Sequence, residues 1–217
     1  MTPKHEALSL FDDRAVTGDR AVTGARSMVA IYADESCIGN GREGDNPGGA
    51  AGLVEYRTPD GQLTLRDYWI SEPATTNNRM ALRSVIEAFQ GLSAMAQEFD
   101  VVFTSDSKYI VLGMKEWMPA WRARGWKRKG GKIMNLELWK QAADVVRGHR
   151  VHWRWVKGHN AQPQNEYAND LAVRAAKTLT ESRGFQVSGF DDWLAIERGK
   201  GRIRRDPDPF PDASLFG

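Results

Sequence analysis

Residues 29–34 read VAIYAD, residues 48–56 GGAAGLVEY and residues 63–71 LTLRDYWIS, three β-rich segments in succession joined by Gly/Asn/Pro-rich or Pro-Asp-Gly linkers. Such segments with turn chemistry between them predict an antiparallel meander. The period then changes. After a cap at Asn77 or Asn78, the apolar residues Leu82, Val85, Ile86, Phe89 and Leu92 recur at helical spacing. The strand VVFTS (101–105) comes next, then a helix with Ile110, Val111, Met114 and Trp117 on one face and Pro119 ending it. A helix opening at Asn135, the strand VHWRWV (151–156) and a helix beginning near Asn165 complete the series. Three strands followed by alternating helix and strand predict an α/β protein with a mixed sheet.

The flanks read differently. Residues 1–27 contain the duplication DRAVTG DRAVTG and hold no periodicity across its glycines, so a flexible arm is expected there. One domain is expected over residues 28–180, and residues 181–217, which finish in DPDPFPDASLFG, are expected to form a mostly irregular tail. With 217 residues and 41% hydrophobic content, the chain can bury one core. Cys37 is the sole cysteine, which excludes an intrachain disulfide and a multi-cysteine zinc site and fits a reducing compartment. No apolar run approaches membrane-spanning length, and no signal-peptide core is seen, so a cytoplasmic protein is expected. The formal charge is only +2, yet Lys108, Lys115, Arg122, Arg124, Lys127, Arg128, Lys129 and Lys132 fall in one segment against Glu116 alone.

The chemistry-bearing residues are acids. Asp34 ends the first strand, Asp106 follows the fourth, and Asp170 lies in the last helix, eleven residues after His159 of VKGHN. Convergent carboxylates repel one another unless cations neutralise them, so this set reads as a divalent-metal site. Two cations roughly 4 Å apart can activate a water and stabilise a leaving oxygen in phosphodiester hydrolysis. Strand-end and helix-entry capping are the plain structural readings of Asp106 and Asp170.

Motifs in a fixed order support the chemical reading: D-x-S-C-x-G-N from Asp34 to Asn40, TTNNRM from Thr75 to Met80, TSDSKY from Thr104 to Tyr109, and WVKGH followed by NDLA. Together with the spacing of Trp117, Trp121 and Trp126, they resemble the ribonuclease HI family over roughly residues 28–178. The resemblance implies an RNase H-like three-layer fold, a five-stranded mixed sheet flanked by helices, and an endonuclease that cuts the RNA strand of RNA–DNA hybrids. It implies Mg²⁺ or Mn²⁺ as cofactor, two ions per site, with Asp34 bridging both and Asp106 and Asp170 each holding one. His159 would assist in proton transfer from a loop. Cys37, Asn40, Asn77 and Lys108 would line the RNA side of the minor groove. Thr76, the three tryptophans and Lys127 would meet DNA, although Trp117 also continues an apolar helix face.

The sequence departs from the family at Ala81, where a metal-binding glutamate is expected. Glu87 is about 240° round the helix and cannot replace it. Glu35 is the first candidate ligand, but strand alternation sends it to the opposite face from Asp34 unless the strand ends or bulges there. Glu43 and Asp45 could fold back over the site, and a deliberate replacement is the third possibility. The rival reading is a hybrid-binding protein with weak or no catalysis; another nuclease of the same fold ranks below it. Finally, Leu10/Phe11 and Leu215/Phe216 each follow a small polar residue, in the manner of peptides that dock into a sliding clamp, although the opening glutamine is missing from both. The alternative is a tail anchoring its own phenylalanine. A monomer is expected.

Overall fold

The computed structural model describes residues 26–39, 46–58, 61–158 and 160–217. The expected N-terminal arm up to residue 25, with its Leu10/Phe11 pair, and Asn40, Glu43, Asp45 and His159 lie outside the described residues. The meander forms as its sequence predicts: β1 (Ser27–Cys37), β2 (Gly48–Arg57) and β3 (Leu63–Glu72) pair antiparallel. β4 (Phe99–Ser105) and β5 (Arg150–Trp155) then add in parallel on the other side of β1. A sixth strand, β6 (Gln186–Val187), pairs with β3, giving the order β5-β4-β1-β2-β3-β6. The five strands expected thus become six, because a short piece of the C-terminal segment covers the β3 edge.

One face of the sheet carries α1 (Asn77–Ser93), α2 (Lys108–Leu112), α3 (Met118–Ala123) and α4 (Leu136–Val145). Its core joins Leu82, Val85, Phe89, Phe103, Ile110 and Trp139. The cap of α1 is Thr76, whose side chain accepts from the Arg79 amide at 3.4 Å, rather than either asparagine. Pro119 does not end a helix: a π-helical turn over Gly113–Trp117 carries the chain from α2 into α3, and Pro119 sits in the first turn of α3, where a missing N–H is tolerated. That turn needs Gly113, since a Cβ there would lie 2.1 Å from the buried Trp139 ring.

The opposite face carries α5 (Pro163–Thr178) and α6 (Phe190–Gly199), packed on Ala51 and Leu53 through Tyr167, Leu171 and Phe190. α5 lies close to β2 because of Gly49, whose Cβ would stand 2.2 Å from the Ala172 carbonyl oxygen. The segment expected as an irregular tail therefore contributes a helix and a strand, held by apolar side chains at Phe185, Phe190, Leu194 and Ile203. No helix among the described residues is long and apolar enough to cross a membrane.

Candidate active site

β1 loses its parallel partner at the pair Ala33 and Ser105, where β4 ends, yet its antiparallel pairing with β2 runs unbroken to Cys37. Directly opposed residues share a face of the sheet. Asp34 faces Ala51, which packs on α5, and Glu35 faces Ala50, which packs with Ile70 and Met80 on the α1 side. Alternation is therefore kept, and there is no bulge. The strand end that Glu35 required is supplied on one edge only: the parallel pairing with β4 stops at Ala33 and Ser105, leaving that edge of β1 unpaired with β4 at Asp34 and Glu35. Asp106, the residue after β4, meets them there. One carboxylate oxygen from each of Asp34, Glu35 and Asp106 lies within 4.8 Å of the other two.

Burial and the neighbouring charges hold the protons of Asp34 and Glu35 above the ordinary carboxylate range. Asp34 is pushed up to about 9, first by burial, then by the charges of Asp106 and Glu35, against a hydrogen bond from the Glu35 amide. Glu35 is pushed up to about 8 by burial and by Asp106, with the Ser107 side chain opposing. Such a cluster is suited to divalent cations, whose charge offsets the repulsion.

The structure does not bring Asp170 to this group. Its carboxylate accepts a 2.8 Å hydrogen bond from Trp193 Nε1 and borders a cavity of about 680 Å³ between α5, α6 and β3, lined also by Trp69, Tyr167 and Arg174. The reason is helical phase. Asn165, not Asp170, reaches Asp34, its Nδ2 lying 3.4 Å from Asp34 Oδ2. Five residues later a side chain has turned about 140° away, whereas Asn169, four later, has turned only about 40°. Two further residues missed in the sequence belong here: Glu166, whose charge raises Asp34, and Gly158, where a Cβ would fall 2.1 Å from Asp106 Oδ2. Counting phase from NE at the head of α5, rather than from the acid itself, would have found the first.

Ala81 is 2% exposed and its methyl group belongs to the core that α1 builds on the sheet. Cys37 Sγ lies 3.4 Å from the Thr75 carbonyl, and Gly48 permits this closeness, since a Cβ there would meet Thr75 Cγ2 at 2.3 Å. Thr75 Oγ1 and Asn77 Oδ1 are buried with no hydrogen-bond partner among the described residues. Lys108 Nζ stands 4.8 Å from the Trp155 ring, whose Nε1 donates to the Asp106 carbonyl at 2.9 Å. Trp117 packs on Tyr109 and Trp121 on Trp139, and Trp126 is also half-buried against the core, so all three tryptophans serve the structure. Lys127 and the cations around it are exposed. At the tail, Arg150 donates to the Phe216 carbonyl at 3.1 Å and stands over its ring, while His152 meets the ring edge.

Known proteins resemble this chain in sequence and fold. The RNase H family matches residues 26–177. Ribonuclease H of Pseudomonas putida strain W619 is 40% identical over 156 residues, 71% of this chain and 97% of that protein. The crystal structure of LC9-RNase H1, a type 1 RNase H with the type 2 active-site motif, is 56% identical, covers 89% of this chain and 92% of its own, and superposes with a TM-score of 0.82. The solution structure of the PFV RNase H domain shares the fold at 19% identity and a TM-score of 0.58. By family match, by sequence identity over most of its length and by fold, the chain belongs to the ribonuclease H family.

Proposed function

We propose that this ribonuclease H hydrolyses the RNA strand of RNA–DNA hybrids at a divalent-metal site built from Asp34, Glu35 and Asp106. The observation that carries this reading is the convergence of three carboxylate oxygens within 4.8 Å at the end of the sheet. Glu35 takes the role that Ala81 leaves open. LC9-RNase H1, with the type 2 active-site motif on a type 1 enzyme, favours natural divergence at this position over deliberate inactivation. Asn169, in phase with Asn165, replaces Asp170 as the residue that α5 presents to the metals.

Bound Mg²⁺ or Mn²⁺, two ions in this reading, would activate the attacking water and neutralise charge on the leaving oxygen. The chain's own residues do the rest. Asp34, Glu35 and Asp106 hold the cations, and Asn165 steadies Asp34. Gly158 lets the chain after β5 close against Asp106, and His159, next in the sequence, serves proton transfer. Cys37, Asn40, Asn77 and Lys108 take the RNA side; the unpartnered oxygens of Thr75 and Asn77 suit 2′-hydroxyl donors. Thr76, Lys127 and the cations around Trp117, Trp121 and Trp126 take the DNA backbone.

The enzyme in this reading is a cytoplasmic monomer. Docking of Leu215 and Phe216 into a sliding clamp would require Phe216 to leave Arg150 and His152, so its present seat favours self-anchoring. Digestion of labelled RNA–DNA hybrid, single-stranded RNA and double-stranded RNA, with Mg²⁺, with Mn²⁺ and with chelator, tests the assignment. Metal-dependent cutting of the hybrid alone is expected, and an inert protein that still binds hybrid would instead favour the binding-only reading.

A further inference from the structure

The loop between β5 and α5, residues 156–161, is tied at both ends by one carboxylate from the far C-terminus. Asp208 Oδ2 accepts from Arg154 Nη2, on β5, and from Gln162 Nε2, at the cap of α5, each at 3.2 Å. Its backbone completes the tie: the Asp208 amide donates to Gln164 Oε1 at 3.1 Å, and Gln164 Nε2 donates to the Asp208 carbonyl at 2.9 Å. Gln164 is fully buried and Gln162 is 4% exposed, while Asp208 is half-buried, so the tie is largely shielded from water on the α5 side. Arg205 holds the other oxygen, Oδ1, at 2.6 Å. Pro207, Pro209 and Pro211 flank the aspartate and restrict the strap before it docks.

The tie holds the working edge of the site. Between Arg154 and Gln162 lies Gly158, pressed on Asp106, and directly after Gln164 comes Asn165, which contacts Asp34. We propose that Asp208 is a positioning residue: the C-terminal segment fixes the base of this loop and the first turn of α5, and thereby the placing of Asp34 and Asp106. The inference rests on the hydrolytic reading above for its kinetic consequence, but not for its structural one.

The test uses the full chain with Asp208→Ala, Asp208→Asn and, as control, Arg205→Ala, which touches only the outward oxygen. At a temperature where all variants are folded by circular dichroism, Asp208→Ala should lower kcat for hybrid cleavage by roughly tenfold with KM within about twofold, because misplacement costs the reacting geometry rather than the groove. Asp208→Asn, which keeps an acceptor for Gln162, should recover part of the loss, and Arg205→Ala should cleave at the parent rate. Amide exchange followed by mass spectrometry should show faster exchange over the peptide 156–166 in Asp208→Ala and none over β1 or β4. An unchanged kcat in an active parent, or unchanged exchange in that peptide, overturns the proposal. If the parent itself does not cleave, the hydrolytic reading fails, and the exchange measurement alone decides whether Asp208 positions the loop.

Discussion

Asp34 and Glu35 leave β1 on opposite faces of the sheet, and their carboxylates still share one site with Asp106, all within 4.8 Å. The finding turns on β4 ending at Ser105, one residue short of where it would have stood between them. A strand that loses one neighbour but keeps the other presents both faces to the same point. No bulge is needed to bring two consecutive acids to one point.

Asp106→Asn should abolish turnover while the protein folds normally, because it removes an anionic ligand without changing volume. Its melting temperature in chelator should rise by roughly 2–4 °C, the shift that about 1 kcal/mol of relieved repulsion gives in a domain of this size. Cleavage at near the parent rate would sink the assignment of Asp106.

Asp170→Asn should leave cleavage within about twofold of the parent, since the carboxylate faces Trp193 and an amide oxygen can still accept that bond. Asn169→Ala should lower activity by roughly tenfold or more, through loss of a group that helps to hold the metals. Comparing kcat and metal dependence for the two variants settles which residue α5 presents.

Glu55 is buried beside Gln164, and its carboxyl is pushed up to about 7, chiefly by burial. A carboxyl whose folded value exceeds its ordinary one contributes stability below about pH 4.5 that is lost as the pH rises through 7. Glu55→Gln should therefore be roughly 1–3 kcal/mol more stable than the parent at pH 8 and little changed at pH 4.5. Urea titrations at the two pH values check the sign.

Hybrid affinity should fall steeply with salt. Eight cations lie between Lys108 and Lys132, all exposed. Neutralising Arg122, Lys127 and Lys129 together should flatten the slope of log K against log salt by about 2–3, that is by about 0.9 for each phosphate no longer neutralised. An unchanged slope would place the DNA-binding surface elsewhere.

The meander, the helix built on Leu82, Val85, Ile86, Phe89 and Leu92, and the parallel strands are legible because period and turn chemistry are local. Pro119 misleads because a proline ends a helix or opens one, and only packing against Trp139 reveals the π turn that joins two helices. The polar composition after residue 180 hides α6, whose apolar side chains are few and are buried against α5 and β2. At the site, Asp34 and Asp106 are legible as strand-end acids. Asp170 stands apart from that cluster, a placement not legible in the sequence, because one residue of helical phase separates facing Asp34 from facing Trp193. Glu35 is legible only as a conditional ligand, because the deciding fact, where β4 stops, is a property of a neighbouring strand.

If Glu35, one of the three acids within 4.8 Å, supplies the acid missing at position 81, its loss must be felt in catalysis. The direct measurement is the initial rate of cleavage of one labelled RNA–DNA hybrid, with Mg²⁺ and with Mn²⁺, by the parent chain, Glu35→Gln and Ala81→Glu. The parent should be active, Glu35→Gln should lose roughly a hundredfold or more with a weakened metal dependence, and Ala81→Glu should bring no large gain. An inert parent that Ala81→Glu restores to high activity, with Glu35→Gln silent in that restored background, would contradict this role for Glu35.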